Sequence, residues 1–96
     1  MIDIVPTIPD EIDLRAPATR KLAEEQELDA FVGARIKRLR LDKGVSQAEL
    51  ARQLDISAQQ LMKFEQGAHR INAGKLARIA RILDVDPGEF FKGDIE

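Results

Sequence analysis

Ser46-Gln47-Ala48-Glu49-Leu50-Ala51 and Ser57-Ala58-Gln59-Gln60-Leu61-Met62-Lys63-Phe64-Glu65 stand back to back, separated by the tight Leu54-Asp55-Ile56. Each opens on a serine with Glu49 or Gln60 three residues on. That is the spacing of a capping box, in which the hydroxyl accepts an amide proton of the first turn and the longer side chain reaches back to the cap amide. Two short helices abutting across such a turn form a helix-turn-helix. When this motif recognises DNA its second helix enters the major groove, so the stretch bears on fold and function together.

Working outward, Val32, Ile36 and Leu39 fall at i, i+4 and i+7, the stripe of a core-facing helix, while Arg35, Lys37, Arg38 and Lys43 mostly face outward. Gly44 stops that helix and Gly67 stops the one beginning at Ser57. Asn72 caps a further helix, with Ile71 and Leu76 placed as a hydrophobic staple. Asp86-Pro87-Gly88-Glu89 repeats the capping box with Pro at the first helical position, and Val85 and Phe90 repeat the staple. The pattern predicts five α-helices near residues 29–43, 46–54, 57–66, 72–84 and 86–92, joined by short loops into one all-α bundle. Its core gathers Val32, Ile36, Leu39, Leu50, Ala51, Leu54, Ile56, Leu61, Phe64, Leu76, Ile79, Ala80, Leu83, Val85 and Phe90. Ala51 is small because the first helix of the pair passes close to the second there.

The 96 residues suffice for one small core. With no Cys there are no disulfides, thiolate zinc sites or cysteine nucleophiles, which suits a reducing cytoplasm. The single His, His69, has no Cys or second His to share a metal, and no nucleophile-base set, paired carboxylate or phosphate loop stands at credible spacing. These absences predict a protein that is not an enzyme and has no cofactor or metal. No apolar run approaches membrane-spanning length. The formal net charge is −2, yet its distribution is uneven. Residues 1–31 hold 3 Lys/Arg against 8 Asp/Glu, residues 32–83 hold 11 against 4, and residues 84–96 hold 1 against 5. Phosphate responds to local potential, so a basic centre between acidic ends fits a nucleic-acid partner.

From Val32 to Phe91 the chain resembles the small five-helix DNA-binding domain of the xenobiotic-response-element, or Cro/C1 repressor-like, helix-turn-helix family of bacterial and phage regulators. The resemblance rests on Ser46-Gln47-x-x-Leu50-Ala51, on Ser57-x-Gln59-x-Leu61-x-Lys63-Phe64-Glu65-x-Gly67 and on Leu76-x-x-Ile79-Ala80-x-x-Leu83-x-Val85. It implies a lambda-repressor-like fold and a double-stranded DNA-binding transcriptional regulator, usually a homodimer on a two-fold related operator.

Candidate contacts follow from geometry first. Ala58, Gln59, Met62, Lys63 and Gln66 share one helical face opposite Leu61 and Phe64. Gln59 offers the donor and acceptor that adenine requires, Lys63 can donate to guanine O6 or N7, and Ala58 and Met62 give apolar contact. The resemblance adds that positions matching Ala58, Gln59 and Lys63 commonly read bases, and that Gln47 matches a phosphate-clamping glutamine. Asn72, Ala73 and Gly74 open a helix whose amides can hold phosphate beside Arg70, with Ser57 and Lys75 in the same phosphate-facing set. The resemblance also implies a partly buried ion pair between Arg40 and Glu65.

The chain departs from the family pattern at Asp55, where glycine is common, and at Ala58, where a polar base reader is common. Residues 1–28 fall outside it as an acidic N-terminal arm, partly extended or disordered, with Pro17 to Leu28 able to form a short helix. Residues 29–92 form the DNA-binding domain and 93–96 a tail. The arm leaves a second reading open: an antitoxin or adaptor-type protein-interaction module that binds a protein partner through the arm, its DNA contact secondary.

Overall fold

The structure is a computed structural model that describes residues 17–93. Among the described residues lie four α-helices, α1 Pro17–Asp42, α2 Gln47–Leu54, α3 Ala58–Glu65 and α4 Ala73–Leu83, and a closing 3-10 helix, Pro87–Phe91, with no strand. The extended reading of residues 1–16 and the last three residues of the tail lie outside this range.

Two element predictions are corrected. The first helix begins at Pro17 rather than near residue 29, so no break separates the charged 17–28 stretch from the domain. Its Ala, Glu, Lys, Leu and Gln residues are strong helix formers, and neither Gly nor Pro interrupts them before Gly33. The fifth element is a 3-10 helix. The Asp86 carboxylate accepts from Gly88 N at 2.7 Å instead of from the third residue of a turn, and Glu89 N donates to the Asp86 carbonyl at 2.9 Å, an i to i+3 bond. Five residues bonded this way dock Phe90, fully buried, without propagating an α-helix.

All four α-helices stop alike. Val45 N donates to Arg40 O, Ile56 N to Ala51 O, Ala68 N to Lys63 O and Val85 N to Ala80 O, each at 2.9 to 3.0 Å. This is the long bond of a Schellman stop, which requires a left-handed residue just before the donor. Gly44 and Gly67 supply it at two ends, but Asp55 (φ 61°) and Asp84 (φ 57°) supply it at the others. Aspartate is among the few non-glycine residues that tolerate this region. It therefore keeps the turn between α2 and α3 in the glycine-type shape.

The core joins Val32 and Ile36 of α1, Leu50, Ala51 and Leu54 of α2, Leu61 of α3, Ile79, Ala80 and Leu83 of α4, and Phe90. Leu39, Ile56, Leu76 and Val85 pack at its edge. Phe64 departs from expectation. It is half-buried and lines a groove of about 340 Å³ with Leu28, Ile71, Leu76 and Phe91. Nearby, α1 passes closely over the end of α3, where a Cβ on Gly33 would overlap the Phe64 carbonyl oxygen and come within 2.7 Å of the Glu65 oxygen. The two backbones meet at Gly33.

Candidate nucleic-acid interface

The helix-turn-helix is α2 and α3, packed on each other, with α3 also against α1 and α2 against α4. α3 buries Leu61 and Glu65 and leaves Ala58, Gln59 and Gln66 exposed, with Met62 and Lys63 half-covered. The proposed base readers therefore share the outward side of a helix whose inward side is locked. Its start is held by a complete capping box: Gln60 N donates to Ser57 Oγ at 3.0 Å and Ser57 N to Gln60 Oε1 at 3.1 Å. The matching box on α2 is only half formed. Glu49 N donates to Ser46 Oγ at 3.0 Å, but the Glu49 carboxylate accepts from Arg52 at 2.5 Å and Gln53 at 2.7 Å instead of turning back. The Arg52 guanidinium, helped by the Gln53 amide, holds that carboxyl below its ordinary value.

The helix starts share one geometry. Ser46, Ser57 and Asn72 are extended caps whose side-chain oxygens take the third amide, Lys75 N reaching Asn72 Oδ1 at 2.7 Å. The first two amides of each helix, at Gln47 and Ala48, Ala58 and Gln59, and Ala73 and Gly74, have no intrahelical acceptor and lie at the positive end of a helix dipole. A Cβ on Gly74 would meet only Asn72 Oδ1, at 3.5 Å. Contacts inside the chain therefore do not demand glycine there.

Beneath the α2 start lies a buried polar network. Arg40 Nε and NH2 donate to the two Glu65 carboxylate oxygens at 2.7 and 3.1 Å, and Arg40 NH1 donates to Val45 O at 2.9 Å. Gln47 Nε2 donates to Glu65 Oε1 at 2.9 Å. The carboxylate at the end of α3 thus binds Arg40 near the end of α1 and Gln47 at the start of α2, and Arg40 in turn holds the α1–α2 loop. The Arg40 and Glu65 side chains retain 6% and 2% of their exposure, so the pair is desolvated and every donor needs its partner.

Arg70, expected beside phosphate, bonds within the chain and stays exposed. Its guanidinium turns to α1, Nε donating to Asp29 at 3.2 Å and NH2 to Glu25 at 3.1 Å. The Asp29 bond and charge, then those of Glu25, hold it above its ordinary value. His69 beside it is exposed in the loop. Gly33 was not singled out as functional or structural by pattern, although a glycine inside a helical stripe is itself a packing signal. Arg78, which donates to the Gln53 carbonyl at 3.1 Å and ties α4 to the end of α2, left no comparable mark in the sequence.

The profile described as a Cro/C1-type HTH DNA-binding domain matches residues 35–93. The chain belongs to the Cro/C1-type helix-turn-helix family. Its relatives include an HTH-type transcriptional regulator of Rickettsia conorii, 44% identical over 68 residues, which is 71% of this chain and 54% of that protein. Another, from Sinorhizobium fredii, is 37% identical over 73 residues, 76% of this chain and 51% of the relative. The chain thus spans about half the length of these curated relatives. Among solved structures, the clp gene regulator ClgR from C. glutamicum superposes with a TM-score of 0.64 at 28% identity, covering 67% of this chain and 83% of that one. The restriction-modification controller protein C.AhdI from Aeromonas hydrophila superposes at 0.61 and 31% identity, covering 68% and 97%.

The Cro/C1-type family is one of DNA-binding regulators rather than enzymes, and its match encloses the buried network and every candidate contact on α2, α3 and α4. Glu25 and Asp29 lie before it. Among the described residues no helix is long and apolar enough to cross a membrane.

Proposed function

We propose that this Cro/C1-type chain is a sequence-specific regulator that binds double-stranded DNA as a homodimer on a two-fold related operator, with α3 in the major groove. The observation that carries this reading is the division of α3: Leu61 and Glu65 are buried, while Ala58, Gln59, Met62 and Lys63 share the accessible side. Gln59 and Lys63 read base edges, and Ala58 and Met62 offer apolar contact to a thymine methyl.

Phosphate is held by the helix starts. Gln47 gives one amide N–H to Glu65 and has a second for a phosphate oxygen, so the buried carboxylate aims it. Ser57, Asn72, Ala73 and Gly74 present hydroxyl, amide and backbone donors, and Lys75 adds charge. The absence of any internal need for glycine at Gly74 fits close approach of a DNA backbone.

Selection of bound fragments from a random duplex pool tests the reading. The expected product is a half-site repeated with two-fold symmetry at a spacing of about one helical turn. Lys63→Ala is expected to relax preference at one base pair and cost about 1–3 kcal/mol on the selected site, whereas Gln47→Ala weakens all sequences alike. Unchanged binding by both folded variants, or failure to enrich any sequence, refutes the docking.

A further inference from the structure

Arg70 lies two residues before the Asn72 cap, where a cation would serve phosphate, yet two carboxylates already hold it. Glu25 and Asp29 stand one helical turn apart on the part of α1 that precedes the family match, and each takes a different nitrogen of the guanidinium fork. The loop that carries Arg70 is anchored before it by Gly67, whose Cβ position lies 2.5 Å from Ala30 Cα, and after it by Ile71 at the core edge. Between those anchors Ala68 and His69 are exposed, and Arg70 is the side chain that crosses back to α1.

We propose that Arg70 is a positioning residue rather than a phosphate ligand: the N-terminal half of α1 clasps the α3–α4 loop through Glu25 and Asp29 and so sets the start of α4 for DNA. This rests on the reading of the chain as a DNA-binding protein. A cation binding phosphate releases condensed counterions and steepens the salt dependence of affinity. A guanidinium neutralised within the protein releases none. What the clasp controls is the approach to Asn72, whose Oδ1 and carbonyl hold the Lys75 and Leu76 amides at 2.7 and 3.0 Å. The outer half of α1 is thereby part of the interface without touching DNA.

The test uses the full chain, a duplex recovered from the random pool, affinity over a salt series, and amide exchange in the DNA-free protein. Arg70→Gln, and separately Glu25→Gln with Asp29→Asn, are expected to speed exchange at Lys75 and Leu76. Each weakens binding about two- to fivefold, the scale of exposed ion pairs, and leaves the salt slope as in the unaltered chain. Lys75→Gln is the contrast, lowering the slope by about 0.9. A reversed clasp, Arg70→Glu with Glu25→Arg and Asp29→Asn, restores affinity. The proposal is overturned if Arg70→Gln lowers the slope by about 0.9, if the carboxylate variant binds more tightly, if the reversed clasp abolishes binding, or if exchange at Lys75 and Leu76 does not change. Should the unaltered chain select no duplex, the DNA-binding reading fails and the exchange rates still decide the clasp.

Discussion

At Gly33 the helix gives up propensity to admit another backbone. Alanine there gains up to about 1 kcal/mol in intrinsic helix preference, but its Cβ would stand 2.7 Å from the Glu65 carbonyl oxygen and closer still to that of Phe64. Neither is the yielding end of a flexible side chain, so the overpacking wins. Gly33→Ala is expected to lower stability by about 1–3 kcal/mol, read as a fall in the urea midpoint at unchanged m-value. A midpoint at or above that of the unaltered chain would mean α1 and α3 do not approach as described. Phe64 shows the same contact from the other side. Its apolar character and helical spacing predicted a core residue, whereas the ring lines the groove beside Leu28, Ile71 and Phe91.

The individual helices are the scale at which the sequence was most readable. Ser46, Ser57 and Asn72 were legible as caps because a short polar side chain ahead of an apolar stripe has one favourable local use. Gly44 and Gly67 were legible as stops for the corresponding reason, while the stop at Asp84 was not, since aspartate at a helix end is equally at home as a solvated residue. Ser57→Ala removes the acceptor for Gln60 N and half of the box on α3. A loss of about 0.5–2 kcal/mol is expected in chemical denaturation, and a loss below that range would show the Gln60 side chain sustaining the cap alone. The closing segment was misread as α-helix because Asp86, Pro87 and Glu89 fit an α-type start. The Asx contact to Gly88 and the burial of Phe90 in so short a span favour the tighter 3-10 turn.

Across the whole molecule, Glu65 couples the fold to the candidate DNA face. Arg40→Met leaves a buried carboxylate short of its principal partner and is expected to cost about 3–5 kcal/mol, whereas Arg40→Met combined with Glu65→Leu recovers most of that stability. DNA affinity should not recover with it, because Gln47 then lacks the acceptor that aims it. Paired denaturation and binding curves separate the two effects, and full recovery of both would make the network purely structural. The sequence by itself determined the elements whose causes are local: the capped helices, the stops, the helix-turn-helix spacing and the basic centre between acidic ends. Tertiary structure decided what depends on residues distant in the chain. It buried Phe90 of the closing 3-10 turn, fitted Gly33 to α3 and turned Arg70 to Glu25 and Asp29. The physical reason is that periodicity and caps act within a few residues, while a backbone contact or an ion pair between residues 25 and 70 exists only once the chain has folded to bring them together.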